Sequence, residues 1–289
     1  MHSIEEKRVY GDREGATEAY VSSSIGVVRV RVAGDTVGEF GLCDRCTAHD
    51  VAAADGIVAV ATDEDVRLLV PPAEDDESAA DDPPITETGF GPAVAVGLDD
   101  AGLLAASPDG EIARLAGDVP ADDGDWESLE SAGIGAVRAI DGDLVGTEDG
   151  VYRVHEAGLD HAGLSAVRDV SAAGVPLAAT DDGLYKLGNG WMQVLEGPFD
   201  VVAADPQSEP GRLARAHAVS GETVYAYGEN DWQVYDRSST PVVGFGYGET
   251  CYAVTERGTF LSATPDDGNG PWRSRTLGIG DVTGLAVLR

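Results

Sequence analysis

The chain has 289 residues, of which 43% are hydrophobic and 6% aromatic, enough for a large domain whose core is built mainly from small aliphatic side chains. Acidic residues outnumber basic residues 52 to 19, so the net charge is −33 and no basic stripe is present to meet a nucleic acid. No segment approaches the roughly 18 apolar residues of a membrane span, and the N-terminus lacks a hydrophobic signal segment. We therefore expect a cytoplasmic protein that binds neither membranes nor nucleic acid.

A short pattern returns seven times along the chain. In each copy an apolar run ends in Thr or Ser, a tight polar turn follows, and a second apolar run begins. The turns end at Gly26, Asp65, Gly110, Gly150, Gly183, Glu222 and Gly258. These positions lie 33 to 45 residues apart. A period of about 40 residues with a hairpin in each copy is typical of a β-propeller.

Each copy is interpreted as one blade of four antiparallel strands that follow each other outwards from a central channel. Inner strands are expected to begin near residues 50, 93, 136, 169, 200, 242 and 281. The four tryptophans of the chain all fall on expected outer strands, where a large ring can cover the contact between blades. They are Trp126, Trp191, Trp232 and Trp272.

The two ends of the chain complement each other. Residues 19–42 supply three strands without an inner one, and residues 281–289 supply one inner strand with nothing after it. We predict one all-β domain over residues 1–289, a seven-bladed β-propeller closed by pairing of the C-terminal strand in the N-terminal blade. The acidic, proline-flanked residues 71–84 are expected to form a surface loop. Residues 209–216 fit a helix or a strand equally well.

The type of base is also informative, because only two of the 19 basic residues are lysines. Acid excess with almost no lysine is typical of halophilic, salt-accumulating archaea. Their carboxylate surfaces stay hydrated while molar salt screens charge repulsion to about 3 Å. We interpret the charge as an adaptation to solvent and not as a binding signal.

Several charged residues open the expected inner strands, near one mouth of the channel. The aspartates among them are Asp50, Asp169, Asp200 and Asp281. They form either an acidic rim for a cation or a set of caps on backbone N–H groups, and their repetition favours caps. Arg138 and Arg168 also fall at inner-strand starts, where they either pair with carboxylates or hold an anion.

One spacing is typical of a metal site, in the segment that joins the first two blades. Cys43, Cys46 and His49 follow each other at three-residue intervals and supply three of the four ligands that zinc needs. A single C-x-x-C without a second pair is a weak signal. We expect no cofactor, and zinc is the alternative.

Known catalytic motifs do not occur, since the chain has no H-E-x-x-H, no G-x-S-x-G and no P-loop. We therefore expect a non-enzymatic scaffold that binds an unidentified protein partner on the face carrying the connections between blades. Two alternatives remain: a hydrolase or lyase acting on a sugar or small acid at the channel mouth, and a zinc- or redox-dependent protein. A pocket at the mouth where polar side chains of three or more blades converge would favour the enzyme.

The turn Thr-[Asp/Glu]-Asp-Gly-[Val/Leu]-Tyr at 147–152 and 180–185, followed by a strand with Trp, resembles the repeats of photosystem-assembly-factor and two-component-sensor propellers. The composition and the complementary chain ends resemble a haloarchaeal group of β-propeller proteins. The Asp-box of sialidases and the Gly-His and Trp-Asp dipeptides of WD repeats are missing. The resemblance implies the fold over nearly the full length and assigns no activity to any residue.

Overall fold

Seven four-stranded antiparallel sheets form a closed ring in the computed structural model of the chain. The structure describes residues 16–71, 83–115, 125–129, 133–155, 158–228, 230–263 and 271–288. Nearly all of the predicted acidic loop at 71–84 lies outside the described residues. Strands are numbered β1 to β28 in chain order, and blades 1 to 7 in the order of their outer strands.

Blade 1 contains both ends of the described chain. Its strands, from the channel outwards, are β28 (Val282–Leu288), β1 (Thr17–Ser23), β2 (Gly26–Ala33) and β3 (Thr36–Asp44). The inner pair is antiparallel, with Glu18 opposite Leu288. The predicted ring closure is therefore confirmed. Closure removes the two sheet edges that an open ring would expose.

Every other blade uses four consecutive strands, the first of which lines the channel. Blade 2 has β4 (Ala48–Ala54), β5 (Ile57–Thr62), β6 (Val66–Leu69) and β7 (Ile85–Glu87). Blade 3 has β8 (Ala95–Asp99), β9 (Gly102–Ala106), β10 (Ile112–Leu115) and β11 (Trp126–Leu129). Blade 4 has β12 (Val137–Asp141), β13 (Leu144–Thr147), β14 (Gly150–His155) and β15 (Gly158–Gly163).

The remaining blades repeat this order. Blade 5 has β16 (Val167–Ser171), β17 (Leu177–Thr180), β18 (Gly183–Leu187) and β19 (Trp191–Glu196). Blade 6 has β20 (Val201–Ala204), β21 (Ala216–Ser220), β22 (Thr223–Gly228) and β23 (Asp231–Arg237). Blade 7 has β24 (Val242–Tyr247), β25 (Cys251–Thr255), β26 (Thr259–Ala263) and β27 (Trp272–Thr276). The seven predicted blades are confirmed. The ambiguous segment 209–216 is irregular up to the first residue of β21, and no described helix is long and apolar enough to traverse a lipid bilayer.

The repeated Thr or Ser makes hydrogen bonds across the hairpin turn through its hydroxyl group in blades 1 to 5 and in blade 7. In blade 4, Thr147 Oγ1 donates to the carbonyl of Gly150 at 2.9 Å and accepts from the N–H groups of Asp149 and Gly150 at 3.1 Å. The turn glycine is needed for packing too, because a Cβ on Gly150 (φ +144°) would lie 2.7 Å from the carbonyl oxygen of Gly163. The repeated residues thus fix both the turn and its contact with the outer strand.

Blade 2 carries an aspartate where most turns have glycine. Asp65 is buried, and its carboxylate accepts hydrogen bonds from the N–H groups of Val66 at 2.8 Å, Gly89 at 2.9 Å and Gly91 at 2.9 Å. Two of these donors belong to the connection that leads to blade 3. The Asp65 side chain therefore holds the connection between blades 2 and 3 in place.

The hydrophobic core is divided among the contacts between neighbouring blades. One cluster joins Leu68 of β6 to Leu103 of β9, with Trp126 packed against it. The indole N–H of Trp126 donates to the carbonyl of Thr88 at 3.1 Å, and that of Trp191 donates to Ala162 at 2.9 Å. Thr88 directly follows the outer strand of blade 2, and Ala162 lies in the outer strand of blade 4. Each tryptophan therefore contacts the preceding blade, as its position on an outer strand predicted.

We predict that Asp65→Ala lowers the free energy of unfolding by about 2–4 kcal/mol, because three N–H groups at a buried site lose their acceptor. Urea denaturation followed by tryptophan fluorescence measures the change. Asp109→Ala, at the exposed turn of blade 3, is the matched control and should change stability by less than about 0.5 kcal/mol. Equal losses in the two variants would contradict the assigned role of Asp65.

Candidate functional site

The inner strands enclose a central channel of about 340 Å³. Each inner strand begins at the same end of the channel, called the mouth here, where the connections between blades and the Thr/Ser turns also lie. Acidic and basic side chains of blades 2, 4 and 5, and one that precedes the inner strand of blade 6, line the channel. They are His49, Asp50, Arg138, Asp141, Arg168, Asp169 and Asp200. Polar side chains of more than three blades therefore converge in one pocket.

A β-bulge recurs near the start of the inner strand in blades 1, 2, 4, 5 and 7. The pairing of the inner strand with the second strand skips one residue at each bulge. The skipped residues are Thr283, His49, Arg138, Arg168 and Val243. Because a bulge redirects a side chain relative to a regular strand, three of these positions present a basic group at the mouth.

Each of these basic groups pairs with the acid that follows the Thr of the neighbouring turn. His49 Nε2 lies 2.5 Å from Asp63 Oδ1, and the guanidinium of Arg138 pairs with Glu148. These side chains are between one third and two thirds exposed, so the pairs contribute little to stability.

Arg168 joins two blades at the mouth. Its Nε donates to Asp181 Oδ1 at 2.5 Å, and its Nη1 pairs with Asp200, which precedes the inner strand of blade 6. The second oxygen of Asp200 accepts from the N–H group of Gly221 at 3.2 Å. The hydrogen bond to Asp181, followed by that to Asp200, raises the pKa of Arg168, so this guanidinium is charged at every relevant pH.

Asp50 and Asp169 lie inside the channel and connect neighbouring inner strands. The oxygens of Asp50 accept from the N–H groups of Val51 at 2.8 Å and Val96 at 3.0 Å. Those of Asp169 accept from the N–H group of Val170 at 2.9 Å and from an N–H group of the next blade. Each carboxylate therefore caps its own strand and also reaches the following blade.

The second bond of Asp169 ends at the N–H group of Val202 in blade 6, at 2.8 Å. Asp141 makes a similar bond at the far end of its strand, accepting from the N–H group of Ala172 at 2.8 Å. The caps expected at Asp50 and Asp169 thus also bridge blades 2 and 3 and blades 5 and 6, and Asp141 bridges blades 4 and 5.

Burial in the channel raises the pKa values of these three carboxyl groups. Burial, opposed by the backbone hydrogen bonds, raises the pKa of Asp50 to about 6 and that of Asp169 to about 8. The pKa of Asp141 is raised for the same main reason. The negative charges of Asp141 and Asp50 add to the effect on Asp169. The channel therefore holds carboxyl groups that stay protonated closer to neutral pH than carboxyls in water.

The other two predicted aspartates lie apart from this group. Asp200 pairs with Arg168 at the mouth. Asp281 is exposed, has φ +49°, accepts from the Ser24 hydroxyl at 3.3 Å and does not line the channel. The structure therefore brings Asp50 and Asp169 together with Asp141, and not with Asp281.

The cysteines and the histidine of the predicted metal site have other partners. Cys43 Sγ donates to the carbonyl of Val27 at 3.3 Å, and His49 faces Asp63. Burial, followed by the charge of Asp44, raises the pKa of Cys46 to about 12, which opposes the thiolate form that binds zinc. Within the described residues no group of three or more His, Cys, Asp and Glu side chains could hold a metal ion. This geometry does not favour a shared zinc ion.

Two features were missed by the sequence analysis. Asp141 ends an inner strand, as Asp99 does, and Asp205 directly follows one, so comparison of strand ends would have found it. His217 is buried between blades 6 and 7, with Nδ1 at 3.0 Å from the Tyr247 hydroxyl. Burial, followed by the charge of Arg215, lowers the pKa of His217 to about 3. Its sequence context of small apolar residues gave no signal for this role.

Solved structures similar to this chain include a known β-propeller. The WD40 β-propeller domain of Doa1 is 15% identical, with a TM-score of 0.64 over 92% of this chain and 89% of that one. YCF48 bound to D1 peptide is 14% identical, with a TM-score of 0.55 over 81% and 82%. AztD from Citrobacter koseri is 9% identical, with a TM-score of 0.59 over 92% and 82%. Identities this low show a shared fold alone.

No curated protein matches the sequence significantly. The family model described as "Beta-prop_HVO_0234:-like, beta propeller" matches residues 3–288, nearly the whole chain. The match confirms the resemblance to a β-propeller family with an archaeal-type name. The chain belongs to the HVO_0234-like β-propeller family.

Proposed function

We propose that this propeller is a non-enzymatic protein-interaction scaffold in a halophilic cytoplasm, and that its partner docks on the mouth. The observation that carries the proposal is the set of bulges that present His49, Arg138 and Arg168 at one end of the ring. A closed ring has little to reorganise on binding, so ordering the protein costs little of the binding free energy. One structural neighbour, YCF48, is described with a bound peptide, which makes protein binding a plausible use of this architecture.

The halophilic setting rests on the net charge of −33 and on the near absence of lysine. Such a surface repels itself at low salt and is screened in molar salt. Binding is therefore to be measured in molar salt, where repulsion between acidic proteins is short-ranged.

We expect the tagged protein to capture a specific partner from a native lysate kept in molar KCl. The double variant Glu222→Trp and Glu256→Trp places two bulky rings on exposed turns at the mouth, blocks the docking face and should lose most of that partner. The control Asp100→Trp and Glu249→Trp places the same rings on exposed turns at the opposite end and should keep it. Quantitative mass spectrometry of the eluates measures the difference. Elution without partners at every salt concentration would refute the scaffold, and equal capture by both variants would refute the docking face.

A second candidate function, a hydrolase or lyase acting on a sugar or small acid, is favoured by one specific observation. Side chains of several blades converge in the channel, and Asp169 there has a pKa of about 8. A carboxyl group protonated near neutral pH is suited to donate a proton to a leaving group. Against this, both oxygens of Asp169 already accept backbone hydrogen bonds. Screening of glycosides and uronates would support the enzyme if Asp169→Asn abolished turnover while the fold was kept.

The raised pKa values also predict a pH dependence of stability. A carboxyl with a raised folded-state pKa contributes stability that is fully present below its unfolded pKa of about 4 and is lost as pH rises through the folded pKa. For Asp50 and Asp169 this loss runs to pH values of about 6 and about 8. Stability should therefore fall between pH 5 and pH 9. In Asp169→Asn the fall should be shallower, because an amide does not titrate in this range.

Urea unfolding at five pH values between 5 and 9, at constant salt, measures these slopes. The slope is the readout, since the amide also places an N–H group against a backbone donor and lowers stability by a constant amount. Asp109→Asn, at an exposed turn, should keep the wild-type slope. Identical slopes in Asp169→Asn and wild type would show that the channel does not hold Asp169 protonated.

A further inference from the structure

A second cavity lies at the mouth, at the boundary between blades 4 and 5. Its volume is about 430 Å³. The residues that line it are Arg138, Glu148, Ala166, Val167, Arg168 and Asp181. The two arginines occupy equivalent bulges of neighbouring blades, and their side chains are 45% and 39% exposed. The cavity is therefore open to a ligand and has a guanidinium from each blade.

The hydrogen bonds of these arginines leave donors unused. A guanidinium carries five N–H donors. Among the described residues, Arg138 is bonded through Nη2 to Glu148, and Arg168 through Nε and Nη1 to Asp181 and Asp200. Nε and Nη1 of Arg138 and Nη2 of Arg168 have no bond to another described residue. In contrast, both oxygens of Asp50 and of Asp169 in the channel accept backbone N–H groups.

The composition makes the placement of these arginines informative. With 52 acids in 289 residues, carboxylates occur on every part of the surface, so an acidic group at the mouth says little about a ligand. Bases number only 19, and two of them open into one cavity. Scarce cations with unused donors indicate an anionic ligand, because guanidinium groups bind carboxylates through paired, charge-assisted hydrogen bonds.

The wall of the cavity is held in an unusual backbone conformation. Leu164 has φ +63° and Ala166 has φ +50°, a region that residues with a side chain rarely adopt. The N–H group of Ala166 donates to the carbonyl of Glu148 at 2.7 Å, which fixes this connection against the adjacent turn. The cavity is thus shaped before any ligand arrives.

We propose that this cavity binds a carboxylate of the partner protein, presented by an acidic segment, between Arg138 and Arg168. The proposal rests on the scaffold function and names the chemistry of its partner. The incoming carboxylate takes the unused donors of both guanidinium groups, while Glu148 and Asp181 hold those groups in position. The overall charge of −33 repels such a segment at long range. In molar salt this repulsion is limited to about 3 Å, so the local contacts decide.

Fluorescence anisotropy in 1 M KCl tests the proposal with two peptides that carry the same uncharged dye: acetylated, amidated tetraglutamate and its tetraglutamine analogue. We expect the tetraglutamate peptide to bind the full-length protein and the tetraglutamine peptide not to bind. Arg138→Gln and Arg168→Gln should each weaken binding about tenfold, the loss expected for one charge-assisted hydrogen bond. Arg212→Gln, an exposed arginine paired with Glu209 outside the cavity, should bind like wild type.

Equal binding by wild type and both cavity variants, or equal binding of the two peptides, would overturn the proposal. Displacement of the peptide by inorganic phosphate at lower concentration than by acetate would also overturn the carboxylate assignment. Circular dichroism of each variant, together with the Arg212→Gln control, separates loss of binding from loss of fold. If the lysate experiment captures a partner that both cavity variants retain, this inference fails while the scaffold function stands. If no partner is captured but the peptide binds in an arginine-dependent manner, the scaffold function fails and the chemistry of the cavity stands.

Discussion

The hydrogen bonds between β1 and β28 are the constraint on which the rest of the molecule depends. Each blade buries its faces only against its two neighbours, so a ring left open would expose one face of blade 1 and one of blade 7. Closure instead buries Tyr252 of blade 7 and Leu285 of β28 in one cluster with Val28. With the ring closed, the seven inner strands stand at fixed distances, and side chains of one blade can reach the backbone of the next.

Most of the fold could be predicted from the sequence, because its determinants are local and repeated. The hydroxyl of Thr147 and the glycine three residues later define a turn by short-range bonds that any copy can form alone. Ring closure was also predictable, since three strands at one end and one strand at the other complete a sheet. The outer-strand tryptophans indicated the contacts between blades for the same reason, because a large ring at one position of the repeat packs against the neighbouring blade in each copy.

The site was predicted less completely, because its geometry depends on register and on pairs of blades. A bulge at Arg138 or Arg168 arises when two strands pair with one residue left over, which composition does not reveal. The sequence placed Asp281 with the channel aspartates because all follow the same Asp-Val pattern, yet a positive φ turns it to the surface. The bridging role of Asp50 requires the N–H group of Val96, 46 positions away, so it appears only once the blades are assembled.

The register of blade 1 has a practical consequence for the whole particle. Asp281 lies at the mouth, and Glu18 pairs with Leu288 at the other end of the sheet. The described chain therefore enters blade 1 at Thr17 and leaves it at Leu288, both on the side remote from the mouth. A linker, affinity handle or fused domain attached directly at Thr17 or Leu288 would extend from the rear of the disc. A surface that immobilises the protein by such a handle would leave the front, with its arginines, facing solution.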